Sequence, residues 1–105
     1  MTPRRVVVSP EAQSDLSAIH QWIADAGSPR NAFSFIGRIE RFCLGLAIAP
    51  QRGRWLLAYG DRHVRAVGFR RQATVLFRVE PDLVTILRIF RAGLDWSAGL
   101  PQDDD

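Results

Sequence analysis

Residues His63 to Arg91 read HVRAVGFRRQATVLFRVEPDLVTILRIFR, and this stretch parses as three consecutive strands. The middle run alternates: Ala73, Val75, Phe77 and Val79 point one way, Gln72, Thr74, Leu76 and Arg78 the other. The last run, Leu83 to Phe90, is apolar on both faces and interrupted only by Thr85 and Arg88. A strand with two apolar faces needs cover on both sides, which predicts a central place in the sheet. Glu80-Pro81-Asp82 suits the turn between them, because proline fixes φ and aspartate bonds its own backbone. The first run, His63 to Val67, ends at Gly68, just before Arg70-Arg71. The expected heart of the chain is an antiparallel meander rich in arginine.

Working outward, Arg4 to Val8 is a short β-prone run, expected to join the meander as a further strand. Ser9-Pro10-Glu11 announces a helix: a serine cap, proline at the first helical position, and a carboxylate in the first turn. Ala12, Leu16, Ile19 and Ile23 make its apolar stripe, Trp22 lies beside it, and Gly27 ends it. Ser28-Pro29 repeats the signal and opens a second helix striped by Ala32, Ile36, Ile39, Cys43 and Leu46. Phe33, Phe35 and Phe42 broaden that surface, Arg38, Glu40 and Arg41 mark the wet side, and Pro50 is the expected stop. So short a linker forces an antiparallel helix hairpin. Gln51 to Arg62 reads as a loop, and Leu94 to Leu100 as one more turn. The class is α+β: an N-terminal strand, an antiparallel α-helical hairpin, then a three-stranded antiparallel meander, with the hairpin packed on one face of the sheet. The other face has little to cover it, and an uncovered apolar face is where partners bind.

The totals agree. A chain of 105 residues is one small domain, here residues 1–100, with an acidic flexible tail at 101–105. No apolar run is long enough to span a bilayer and no basic-then-apolar leader is present, so a cytoplasmic, membrane-free protein is expected. The lone Cys43 fits a reducing compartment and reads as a buried small hydrophobe. Two separated histidines and one cysteine offer no metal set, the glycines form no phosphate-cradling loop, and no cofactor is expected. All fourteen Lys+Arg positions are arginine. GC-rich coding accounts for the absence of lysine, but the guanidinium fork suits phosphate and carboxylate all the same. Asp103, Asp104 and Asp105 hold three of the eleven carboxylates, so the net +3 of the whole chain becomes +6 for the rest. A basic face for an acidic partner, nucleic acid or protein, follows.

At this point the chain resembles the bacterial ParE/RelE superfamily of toxins from type II toxin–antitoxin systems, ParE most of all. SPEAQSDLSAIHQWIA looks like the family's opening A-x-x-D-L-x-x-I helix, with Ala12, Asp15, Leu16 and Ile19 in those positions. Pro50-x-x-Gly53-Arg54 resembles its post-hairpin motif. Val75 to Val79 looks like its hhYRV strand with Phe77 for tyrosine, and Ile86 to Phe90 its last strand. The resemblance spans nearly the whole chain. It implies a toxin neutralised by a small ParD-like antitoxin in a hetero-oligomer, a dimer of dimers, with DNA reached only through the antitoxin. ParE-like members inhibit DNA gyrase by binding; RelE-like members cleave mRNA on the ribosome.

A ribonuclease needs proton-transfer groups as well as cations. The chain has His20, His63 and Tyr59, of which His63, beside Arg62 and Arg65, is the one to watch. Where ParE-like chains show His-Gly-x-Arg-Asp, this one has Arg91-Ala92-Gly93-Leu94-Asp95, keeping only the aspartate. That argues against a ribonuclease, so no catalytic residue is assigned. The antitoxin-binding residues expected are Trp22, Phe33, Phe35, Phe42, Arg65, Arg78 and Phe90; the target-binding residues are Arg70, Arg71, Arg88 and Arg91. Two other readings stay open at this stage: a RelE-like mRNA endonuclease using His63 and nearby arginines, and a non-toxic relative that binds a partner.

Overall fold

A computed structural model of the chain describes residues 4–48, 54–55 and 64–91, with Arg54 and Trp55 described by backbone alone. The expectations for Pro50, Gly53, Tyr59, His63, Gly93–Asp95 and the tail at 101–105 lie outside these residues.

The order is β1 (Arg5–Val8), α1 (Pro10–Asp25), α2 (Pro29–Gly45), β2 (Arg54–Trp55), β3 (Val64–Phe69), β4 (Ala73–Val79) and β5 (Leu83–Arg91). They form one sheet in the order β1-β5-β4-β3-β2. The doubly apolar β5 is interior, as its composition requires. The meander β3-β4-β5 is antiparallel, whereas β1 pairs with β5 in parallel, Arg5 opposite Leu83 and Val8 opposite Ile86. The short β2 pairs with β3 where the sequence reads as loop.

Both helices begin as their caps dictate. Ser9 Oγ accepts from the Ala12 N–H at 3.1 Å, and Ser28 Oγ from the Asn31 N–H at 3.1 Å. Gly27, at φ 116°, turns the chain out of α1 through the left-handed region. The end of α2 departs from expectation. It stops at Gly45, and Leu46, Ala47 and Ile48 close down in tighter turns, each N–H donating to the carbonyl three residues back. The tightened last turn satisfies the orphan carbonyls before any proline intervenes.

The hairpin covers one face of the sheet. Ala12, Ile19, Phe35, Ile39, Cys43 and Leu46 meet Phe69, Ala73, Val75, Phe77, Val84, Ile86 and Ile89 in a single core. Ile39, Phe77, Val84 and Ile86 are fully buried, each worth roughly 1.5–3 kcal/mol of transfer free energy. On the opposite face Val64, Ala66 and Leu76 are buried too, with Ala66 directly across from Leu76. The expectation of an uncovered apolar face therefore fails at these three positions.

One irregularity governs the far end of β5. Leu76 pairs with Arg88 but Phe77 pairs with Ile86, so Leu87 is an extra residue, a β-bulge. The bulge shifts the alternation. Val84 and Ile86 face the helices, and beyond the bulge Ile89 and Arg91 do so, where unbroken alternation would have turned Arg88 and Phe90 inward. The start of α1 holds the bulge in place. Ser9 N–H donates to the Ile86 carbonyl at 2.9 Å and Ser9 Oγ to the Leu87 carbonyl at 2.9 Å. Asp15 Oδ2 accepts from the Ile89 N–H at 2.9 Å and from Arg88 Nε at 2.8 Å, and its Oδ1 accepts from Arg88 Nη2 at 3.0 Å.

Candidate functional site

The β3–β4 turn approaches the helix hairpin and leaves a cleft on either side of itself. Arg70 and Arg71 have φ of 49° and 58°, the positive values that primed hairpin turns demand at both central positions. Gln72 N–H closes the turn on the Phe69 carbonyl at 2.8 Å. Asparagine and glycine are the usual occupants; an ordinary L-residue here gives up roughly 1–2 kcal/mol. Strain of this kind gathers where a chain places a side chain for a purpose.

The turn deals one arginine to each cleft. Arg71 and Gln72 join Ile19, Trp22 and Ile23 of α1, Asn31, Phe35 and Arg38 of α2, and Arg91 at the end of β5 around a cavity of about 480 Å³. Arg70 joins Arg38, Arg41, Phe42 and Phe69 around a second, more open cleft of about 620 Å³. Arg38 forms part of both walls. No aspartate or glutamate lines either cleft, and none of these five arginines pairs with a carboxylate among the described residues. The Arg91 guanidinium lies 4.2 Å from the Trp22 ring centroid, and Trp22 is 51% exposed. Arg70 lies 5.6 Å from the Phe69 ring centroid. Arg38 Nε is buried with no hydrogen-bond partner among the described residues.

The residues named from sequence sort differently here. Trp22 and Phe35, expected at an antitoxin contact, and Arg71 and Arg91, expected at a target contact, share one cleft. Phe35 is buried and meets Phe69 edge-on at 6.0 Å; Phe42 packs on the same ring at 5.1 Å. Phe33 is 78% exposed on the outside of α2. Arg65 is buried, opposite Phe77, and Arg78 is half-buried between Val64 and Thr85; neither reaches the clefts. Arg88 pairs with Asp15 and covers Phe90 at 4.8 Å. Sequence reasoning missed Arg38 and Arg41, read only as the wet side of α2. Their helix face was legible, but the turn that arrives opposite them was not.

Away from this region, Val8, Gln13, Leu16, Ser17, His20, Gln21, Ile36 and Glu40 line a groove of about 590 Å³ between the helices. Phe33 and Leu44 stand exposed about three turns apart on one side of α2, and Ile48 is exposed just beyond its end. Among the described residues no cluster of histidine, cysteine, aspartate and glutamate has the form of a metal site, and no helix is long and apolar enough to cross a membrane.

Comparison with known proteins adds the lineage. Residues 6–96 match the family described as the ParE toxin of the type II toxin–antitoxin system, parDE. No curated protein matches the chain in sequence. A chain of the chromosomal ParDE toxin–antitoxin system from P. aeruginosa superposes with a TM-score of 0.70, covering 85% of this chain and 96% of that one at 24% identity. A chain of the RelBE2 toxin–antitoxin complex from Mycobacterium tuberculosis does so at 0.64, covering 90% and 97% at 22% identity. At such identities the likeness to these two is one of fold. The matched family span holds both helices and the whole meander, and the chain belongs to the ParE toxin family of type II toxin–antitoxin systems.

Proposed function

We propose that this toxin acts by binding rather than by chemistry of its own, that its target is DNA gyrase, and that a ParD-like antitoxin neutralises it. The arginine clefts carry the reading. Their walls supply guanidiniums, aromatics and amides, with no histidine, carboxylate or thiol among the described lining residues to act as general acid or base. A cationic surface of this kind grips an anionic partner and holds it. Arg70, Arg71 and Arg91 are the target contacts, with Arg88 serving mainly to fix β5 through Asp15.

The antitoxin takes another surface. An amphipathic helix fits the groove between α1 and α2, where Leu16 and Ile36 give an apolar floor and Ser17, His20 and Glu40 a polar rim. The exposed Phe33 and Leu44 extend the apolar contact along α2, and Ile48 carries it past the helix end. An extended antitoxin segment can add along β1, an edge strand among the described residues. The likeness to chains from ParDE and RelBE2 complexes supports a partner of this class.

The test is induced expression without an antitoxin, with supercoiling by purified gyrase and mRNA integrity measured in parallel. Growth arrest with lost supercoiling and intact mRNA is the expected result. Arrest with active gyrase and cleaved mRNA would instead assign a RelE-like nuclease, and absence of arrest a non-toxic relative.

A further inference from the structure

We infer that the two clefts flanking the Arg70–Arg71 turn form one track for a single strand of nucleic acid. Its phosphates lie against Arg38, Arg41, Arg70, Arg71 and Arg91, and one base stacks on the open side of Trp22. The inference rests on the arginine face proposed above as the target contact, and it names the chemistry that face accepts.

Charge comes first. Five guanidiniums converge from α2, the β3–β4 turn and the end of β5, with no carboxylate among the described residues of either lining. Like charges gathered this way repel, and the gathering is relieved by a ligand bearing several negative charges. A lone phosphate or carboxylate fills one cleft; a polyanion with regular charges fills both and passes Arg38, the wall they share.

The aromatic decides between polyanions. Trp22 is half exposed, with Arg91 stacked at 4.2 Å. A base stacked on the open side would complete a base–indole–guanidinium sandwich. Basic grooves with such platforms are how single strands are held without sequence preference. An acidic peptide supplies the charge but nothing planar for the indole. A duplex keeps its bases stacked inside and unavailable. The 480 Å³ cavity also lies within the usual range for small-molecule sites, roughly 300–1,000 Å³, which suits a single nucleotide unit.

The test uses the purified full chain and fluorescein-labelled oligothymidylate and oligouridylate, followed by fluorescence anisotropy. Binding is expected to weaken with salt, with a log–log slope of roughly −2 to −3, about 0.7 for each of three to four phosphates. Arg71→Gln/Arg91→Gln and Trp22→Ala are each expected to lower affinity about tenfold or more. Arg70→Gln/Arg71→Gln, confined to an exposed turn, is the second variant should the first fail to fold; circular dichroism melts check both. Poly-glutamate is expected to displace the strand poorly, and duplex DNA to bind less tightly than the single strand. The inference is overturned by no binding, by variants that bind like the native chain, by equal displacement by poly-glutamate, or by a preference for duplex. A chain that arrests growth and binds no oligonucleotide refutes this inference and leaves the toxin reading standing. A chain that binds the strand but arrests nothing does the reverse.

Discussion

Two adjacent arginines hold the least comfortable backbone in the described chain. Replacing Arg70-Arg71 by Asn-Gly puts the usual primed-turn residues at φ of 49° and 58°. Stability should rise by about 1 kcal/mol or more, which for a domain of this size moves Tm up by roughly 4–8 °C per kcal/mol. Oligonucleotide binding and growth arrest should both fall. A variant that is more stable and fully toxic would show that the turn has only a structural role. Cys43 is the opposite case, a side chain made inert by its place. Burial, reinforced by the nearby Glu40 carboxylate, pushes its thiol from the ordinary 9.0 up to about 12. It is therefore a neutral thiol at physiological pH and should react with a thiol reagent only as fast as the protein unfolds. The linkage has a definite sign. The unfolded thiol loses its proton first, so this group's contribution to stability is intact below about 9 and drains away as pH rises toward about 12. Denaturant midpoints of native chain and Cys43→Ala, measured across that window, should converge as pH rises.

At the scale of elements, the bulge in β5 sets the arginine site, because it turns Arg91 toward Trp22 in place of Phe90. Asp15, outside both clefts, holds that bulge through the Ile89 N–H and the Arg88 fork. Asp15→Ala should cost roughly 2–3 kcal/mol, the scale of charged hydrogen bonds discounted for a partly exposed Arg88. It should also weaken strand binding although it touches no ligand, and Asp15→Asn, which keeps an acceptor for Ile89, should recover part of both. Thermal melts and anisotropy on the same samples separate the two effects. The elements also show what sequence can disclose. Ser9-Pro10 and Ser28-Pro29 were readable because a cap is a local bargain among a few residues. The interior place of β5 was readable from apolarity on both faces. Its bulge was not, since in LVTILRIF an inserted Leu87 leaves apolar residues on either side of the register. Nor was the parallel pairing of RVVV, whose partner lies far along the chain.

Over the whole molecule, two surfaces stand apart: a cationic region around the β3–β4 turn with no carboxylate among its described lining residues, and an apolar-floored groove between the helices. Ser17→Arg, an exposed change in that groove, should leave the fold and growth arrest intact and abolish neutralisation by the antitoxin. Coexpression rescue is the assay, and full rescue would remove the groove from the interface. The sequence disclosed an abundance of arginine but not which arginines the fold would gather. Arg65, Arg78 and Arg88 are spent inside or against the fold, while Arg38, Arg41, Arg70, Arg71 and Arg91 are brought together only by three-dimensional closure.

That closure has a temporal side. Arg4 Nε bonds the Glu80 carbonyl 76 positions away, and Ser9 Oγ bonds the Leu87 carbonyl 78 positions away. The first strand thus has no strand partner until Leu83 to Ile86 of β5 have been made. At bacterial translation speeds of roughly 5–20 residues per second, that leaves the nascent chain several seconds without its finished sheet. Its arginines stay scattered throughout that wait. The arginine clefts close only once β5 has been made, and the wait is an interval in which an antitoxin already present can meet the chain.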